Sequence, residues 1–180
     1  DKEIDTGKIL HRTEIEIKPD ETAGELHDKM IPIGASLIME TLESLANGKK
    51  DAIPQEILLK EIKDLKPAPK IFKNDCRINW HENGAKIYNH IRGLSPFPCA
   101  WTEIGKPGDE KFFGLKIFEN EWINSKNTHP VGTISTNKNE ILVSIKDGFI
   151  KIKSLQLEGK KRLTAGEFVR GNQIDGFIVR

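Results

Sequence analysis

Apolar and polar residues alternate near the start of the chain and then switch to a helical period. Over residues 8–18, Ile15 and Ile17 alternate with Glu14 and Glu16, which predicts a β-strand with one covered face. Beyond Asp20 and Thr22, both suited to cap a helix, Leu26, Met30, Ile33, Leu37, Ile38, Leu42 and Leu45 recur at near-helical spacing up to the stop signal Asn47-Gly48. This stripe predicts a long amphipathic helix whose apolar face has to be covered. Pro32 falls inside it, removing a backbone donor and crowding the previous turn, so a kink or a split into two helices is expected. One strand and one helix do not close a core. Residues 1–50 therefore read as a fragment of a parallel α/β (Rossmann-like) domain.

Residues 51–74 lose both periods and read as a linker. Ile53-Pro54 and Pro67-Ala68-Pro69 favour extended backbone, and six lysines from Lys49 to Lys70 keep the segment solvated. Ile57, Leu58, Leu59 and Ile62 are too apolar for a free tether and predict that it lies along a surface. From Asp75 the pattern changes again. Ile78-Asn79-Trp80 reads as a short strand, and Asn83 caps a helix whose Ile87, Tyr88, Ile91 and Leu94 share one face until Pro96 and Pro98 stop it. Short strands are predicted at 99–104, 112–118, 132–136, 141–145 and 149–157, with Asp147-Gly148 as a tight hairpin turn and a final helix at 165–170 opened by Thr164. This succession predicts a small closed Greek-key β-barrel of OB type over residues 75–180. The whole chain is thus α+β: residues 1–50, a linker over 51–74, and the barrel domain.

Composition changes this picture in one respect. Apolar content of 37% and charged content of 31% are ordinary for a globular protein, and no apolar run is long enough to cross a membrane. The net charge of +1 conceals a polarity: residues 1–59 carry 7 Lys and Arg against 13 Asp and Glu, whereas residues 60–180 carry 21 against 14. A basic second part invites a polyanion, and an acidic first part repels one. Cys76 and Cys99 lack CxxC or Cys/His spacing and read as buried reduced thiols. His81-Glu82 opens an H-E-x-x-H pattern, but Ala85 replaces the second histidine, and no metal site is predicted. No phosphate-binding glycine loop is present either.

Three stretches carry chemistry. Asp1-Lys2-Glu3-Ile4-Asp5-Thr6-Gly7, running into the first strand, resembles the catalytic aspartate loop of the 10-formyltetrahydrofolate-dependent formyltransferases. Ser95-Pro96-Phe97-Pro98-Cys99-Ala100-Trp101 and Ser154-Leu155-Gln156-Leu157-Glu158-Gly159-Lys160-Lys161 narrow the resemblance to the methionyl-tRNA formyltransferase branch of that family. The resemblance implies that Asp5 is catalytic, acting with an asparagine and a histidine from an upstream strand and loop. Neither partner is found here. Asp1 and Ile4 would lie beside the pterin of the co-substrate 10-formyltetrahydrofolate. Glu3 stands where relatives usually have Gly, which alters the approach of the folate. By the same resemblance the barrel binds initiator methionyl-tRNA through Lys160, Lys161, Arg162 and Arg92, and the enzyme works in the cytoplasm. Lys60, Lys63, Lys66 and Lys70 form a second candidate basic surface. The chain is expected to be the C-terminal part of a larger enzyme, inactive by itself, with its uncovered helix stripe prone to self-association.

Each of these readings has a plainer competitor. By pattern alone Asp5 starts an Asx-turn ahead of Gly7, and Gly159-Lys160-Lys161-Arg162 is a solvated hairpin edge. Trp80, Phe97 and Trp101 could stack on bases, as aromatic residues of OB-folds do, but the flanking prolines and apolar neighbours favour core packing for all three. Other functions also fit: a folate-dependent formyltransferase acting on a sugar nucleotide or a thioester-type carrier, or an RNA-binding barrel without catalysis.

Overall fold

The computed structural model describes residues 2–49, 51–59 and 66–180 and divides the chain into two compact units. The first comprises Asp1–Pro19 and Glu25–Lys70; the second comprises Asp20–Gly24 and Ile71–Arg180.

In the first unit the dominant element is helix α1, Ala23–Ala46. Pro32 lies inside it without splitting it, although its ring leaves the carbonyl of Asp28 without the usual helical donor. None of its residues is buried; Met30, Ile38 and Leu42 are each at least half exposed. The strand expected over residues 8–18 is not formed. Only Ile9 pairs, in an antiparallel bridge with Ile53 held by two N–H···O=C bonds of 2.9 Å. Alternation supplies a face, but a strand exists only through ladder bonds to a neighbour, and among the described residues Ile53 alone provides them. The segment read as a linker contains a short helix, α2, Gln55–Leu59. Pro54 stands just before it, where a missing N–H costs nothing.

The second unit is built on an antiparallel sheet. Its elements are a 3₁₀ turn at Lys73–Cys76, helix α3 (Gly84–Leu94), strands β1 (Ala100–Gly105), β2 (Phe113–Asn124), β3 (Ile134–Thr136), β4 (Ile141–Ile145), β5 (Gly148–Leu157) and β6 (Leu163–Thr164), helix α4 (Ala165–Gly171) and strand β7 (Ile178–Val179). The strand order is β3-β4-β5-β2-β1-β7, with β6 on β5. β5 returns to lie beside β2, so strands β2 to β5 form a Greek key. The ends of the sheet then meet. Thr133 bridges Ile178, Ile134 N–H donates to Phe177 O at 2.7 Å, and Val179 N–H donates to Gly132 O at 2.9 Å. A nearly closed barrel results, filled by Ile104, Leu115, Ile117, Ile134, Ile141, Val143, Ile150, Ile152 and Leu155, all nearly inaccessible.

Local signals explain the helices of this unit. Asn83 Oδ1 accepts the Lys86 N–H at 2.9 Å and starts α3, whose Ile87, Ile91 and Leu94 are buried. Thr164 and Glu167 form a capping box that starts α4, as the sequence predicts. Ile78-Asn79-Trp80 does not form the expected strand. Arg77 makes one parallel bridge to Trp101, and Ile78 N–H donates to Trp101 O at 2.9 Å; a single bridge is not a ladder. Ile78 and Trp80 are nevertheless buried, and Trp80 Nε1–H donates to the Thr102 hydroxyl at 2.9 Å.

Two corrections concern β2 and the hairpin. β2 runs six residues past the expected end at Phe118, because β5 pairs with it down to Gly148; two irregularities, at Ile117/Glu119 and Glu119/Asn120, cancel and leave the register unchanged. The β4–β5 loop consists of Lys146 and Asp147, one residue earlier than the Asp147-Gly148 reading, and Gly148 opens β5 at φ 138°. A Cβ there would sit 2.0 Å from Ile123 O. Asp147 is thereby free to reach α3, where its carboxylate accepts the Gly84 N–H at 2.9 Å. Gly148→Ala is expected to lose about 3 kcal/mol of stability or more, from backbone strain plus a clash with main chain. Gly159→Ala, also at positive φ (71°) but facing open space, is expected to lose about 1 kcal/mol. Denaturant midpoints of the two variants check this; equal losses would show that the contact with Ile123 is not the cause.

Candidate functional site

The Asp5 turn is defined by its backbone. Asp5 adopts φ 61°, a left-handed conformation that Asp tolerates better than most side chains. Thr6 Oγ1–H donates to Glu3 O at 3.0 Å and closes the turn. Gln55, from the start of α2, donates Nε2–H to both Asp5 O (2.8 Å) and Gly7 O (2.7 Å), and the Ile9–Ile53 bridge clamps the same two segments. The carbonyls of Glu3, Asp5 and Gly7 are thus engaged, while the Asp5 carboxylate is exposed and has no hydrogen-bonding or ionic partner among the described residues. Ile4 beside it is 88% exposed; Asp1 lies outside the described residues. Gln55 is the positioning residue that sequence reading missed. It sits in a stretch without periodicity or motif, 48 residues from the turn it holds.

Histidine does not complement Asp5 within this unit. Thr41 Oγ1–H donates to Leu37 O at 2.6 Å, so the hydroxyl oxygen serves as acceptor for His11 Nδ1, 3.2 Å away. His27 Nδ1 lies 3.1 Å from its neighbour Asp28. No group of three or more His, Cys, Asp or Glu side chains among the described residues is placed to hold a metal ion.

In the second unit the four expected cations part company. The turn after β5 is fixed by Lys160 N–H to Leu157 O (2.9 Å), by Gln156 Nε2–H to Lys160 O (2.7 Å) and by Gly159 at φ 71°. Lys160 and Lys161 are exposed, and neither ammonium makes a hydrogen bond or salt bridge among the described residues, although Lys161 lies within the field of the Glu167 carboxylate. Arg162 is committed: its guanidinium lies 4.3 Å from the Phe118 ring, pairs with Glu119 and donates Nε–H to Ser154 Oγ at 2.7 Å. Arg92, on α3, is committed as well, donating to Asn89 Oδ1 and Glu21 O, each at 2.7 Å. Of the second candidate basic surface, Lys60 and Lys63 lie outside the described residues.

A groove of about 640 Å³ crosses the outer face of β1, β2 and β5. Trp101, Lys116 and Gln156 face one another across the three strands. Trp101 is half-buried, donates Nε1–H to Lys73 O at 2.8 Å, and has Arg77 4.9 Å and Lys73 5.4 Å from its ring. Glu103 accepts hydrogen bonds from Arg77 and Arg180; the bond from Arg77, the larger cause, and that from Arg180 hold its carboxyl below the usual glutamate range. Cys76 and Cys99 line the groove as the expected buried, unbridged thiols, and burial pushes Cys99 up to about 11. Trp80 is in the core as expected. Phe97 is not: it is 86% exposed.

Comparison with known proteins places this geometry in a family. Residues 70–173 match the formyl transferase C-terminal domain family. A methionyl-tRNA formyltransferase of Parabacteroides distasonis is 45% identical over 94% of this chain and 52% of its own length, and one of Bacteroides thetaiotaomicron is 42% identical over 97% and 54%. The chain therefore spans about half the length of these curated relatives. Among solved structures, a variant of HypX from Aquifex aeolicus superposes with a TM-score of 0.66 at 16% identity, covering 97% of this chain and 31% of that one. HypX in complex with tetrahydrofolic acid matches equally well, with a TM-score of 0.66. At that identity the likeness speaks for the fold alone. With its match extending over more than half its length and 45% identity to a curated relative, the chain belongs to the formyl transferase family, whose C-terminal domain is formed by residues 70–173.

Proposed function

We propose that this chain is part of a methionyl-tRNA formyltransferase, an enzyme that moves the formyl group of 10-formyltetrahydrofolate onto the amino group of methionine on initiator tRNA. The observation that carries this reading is the 38–45% identity, over at least 94% of the chain, to relatives of that name. In this reading residues 1–50 belong to a parallel α/β catalytic domain, residues 51–74 connect it, and residues 75–180 are an OB-like tRNA-binding domain of a cytoplasmic enzyme. The exposed apolar residues of α1 then suit the remainder of a catalytic domain, or a second copy when the chain stands alone.

Formyl transfer to an amine develops negative charge on the formyl oxygen and leaves an extra proton on the attacking nitrogen. An imidazole that moves this proton becomes cationic, and a carboxylate beside it stabilises that form. Asp5 suits this role because its turn is held by backbone bonds that leave the carboxylate unengaged. The asparagine and histidine that work with it are, in this reading, contributed by the part of the relatives' length that this chain does not span. Ile4 offers an exposed apolar surface for the pterin, next to the carboxylate.

In the complete enzyme Asp5→Asn is expected to lower kcat roughly 10²- to 10⁴-fold while the melting temperature stays put, since the amide keeps the shape but not the charge. Turnover near that of the wild type would remove Asp5 from the catalytic set. The 180-residue chain alone is expected to form no formylated product above background. For the tRNA, the unengaged Lys160 and Lys161 are the phosphate contacts. Replacing both with Glu is expected to reduce the slope of log K against log[salt] by about 2 without altering stability. Arg162→Ala is expected to act differently, costing about 1–2 kcal/mol of barrel stability through its lost bonds and ring contact. Salt titrations and thermal melts of these variants separate the two effects; equal slopes would move the phosphate-binding surface elsewhere.

A further inference from the structure

The Asp5 carboxylate makes no bond of its own among the described residues, so its direction depends on the backbone alone. The Cα–Cβ bond leaves the chain at an angle set by the main chain of the same residue. For Asp5 that main chain has φ 61°, a conformation that residues with a Cβ populate reluctantly. Such a turn persists only where its neighbours hold it. The bond from Thr6 Oγ1–H to Glu3 O braces the residues ahead of Asp5. The brace beyond it comes from Gln55, distant in the chain.

Gln55 suits this task by position and by chemistry. It is the first residue of α2, where side chains lean back past the start of the helix. Its Nε2 carries two hydrogens, and both are used: one bond goes to Asp5 O at 2.8 Å and one to Gly7 O at 2.7 Å. Both partners are carbonyl oxygens, which only accept, so the amide nitrogen and not its oxygen has to face the turn. One planar group thereby fixes the two carbonyls that flank Thr6. A glutamate of the same size would set an acceptor against two acceptors. The clamp is not what keeps the two segments together. The Ile9–Ile53 bridge does that with two bonds of 2.9 Å, and the Gln55 bond to Asp5 is exposed, where a hydrogen bond adds little to stability.

We propose that Gln55 is a positioning residue for formyl transfer: its carboxamide sets the direction of the Asp5 carboxylate, so the stretch 51–59 is a working part of the catalytic site and not a connector alone. The assignment rests on the reading of Asp5 as the carboxylate that supports the catalytic imidazole, and deepens it by naming what aims that carboxylate. Gln55 acts through Asp5 and not on the co-substrate or the tRNA. Misplacing a catalytic group by about 1 Å can cost roughly 100-fold in rate, while the binding of a substrate held elsewhere is untouched.

The test compares the complete enzyme as wild type, Gln55→Ala, Asp5→Asn and the double variant, with kcat and the KM for tRNA measured for each. Gln55→Ala is expected to lower kcat roughly 10- to 100-fold, with the KM for tRNA and the melting temperature unchanged. On the Asp5→Asn background the same change is expected to cost less than about twofold, because no charge is left to aim. Gln55→Glu should be no faster than Gln55→Ala. In the 180-residue chain, Gln55→Ala should shift the NMR carbonyl signals of Asp5 and Gly7 and leave that of Ile9, held by the bridge, in place. Equal losses of kcat on both backgrounds would mean a general structural defect and overturn the assignment. Unmoved carbonyl signals, or a Gln55→Glu enzyme that works like the wild type, would overturn it too. Wild-type turnover of Gln55→Ala beside a slow Asp5→Asn would sink the assignment and leave Asp5 in the catalytic set. Wild-type turnover of Asp5→Asn would instead remove the reading of Asp5 and the assignment together.

Discussion

Closure of the barrel by the segment 177–179 is the constraint on which the second unit depends. Without it the outer edges of β1 and of the 132–134 stretch would both present unpaired backbone groups, and the core strands would form an open sheet. Ile178 and Val179 pair with β1 on one side, while Phe177 and Val179 exchange bonds with Gly132 and Ile134 on the other. Edges satisfied in this way cannot recruit a foreign strand. The same closure organises the one buried polar chain nearby. Thr102, fully buried in β1, donates to Arg180 O and accepts from Trp80 Nε1–H. The Thr102 hydroxyl finds its acceptor because 177–180 returns to β1.

The frame that closure creates determines how the groove is presented. β1, β2 and β5 are central strands with bonds on both sides, and α3 is tied to the β4–β5 turn through Asp147. Gly84 admits the Trp122 indole where any Cβ would collide with it. The cations of this unit differ in role according to what they touch. Arg162 and Arg92 make bonds within the fold, whereas Lys116 and Lys160 make no hydrogen bond or salt bridge among the described residues.

The first unit follows another logic. Beside helix α1 it holds a turn closed by Thr6 and cross-braced by Gln55 and Ile53, with the Asp5 carboxylate left over. A carboxylate with no structural bond to break suits a group that exchanges partners during a reaction. Helix α1 continues through Pro32 and buries none of its residues among those described, so its stripe marks a surface still in need of cover.

Much of this was legible in the chain itself, where the signal is local. Period-3.6 spacing marked α1 and α3, the Asn83 and Thr164 caps marked the starts of α3 and α4, and short apolar runs marked β1 to β5, because these depend on neighbours a few residues away. Motif resemblance led to the proposals made for Asp5, Lys160 and Lys161. What required the tertiary structure was everything set by a distant partner. Residues 8–18 alternate properly yet form only one bridge, since a ladder needs a second strand. β2 extends to Asn124 because β5 is there to pair with it, and the hairpin turn moves by one residue because Gly148 pairs with Ile145 on one side and Asn124 on the other. Arg162 and Lys161 are adjacent and equally basic in sequence; only the position of Glu119, Phe118 and Ser154 gives Arg162 the bonds and ring contact that Lys161 lacks. Charge and periodicity are properties of the chain, but pairing and availability are decided by what the fold brings alongside.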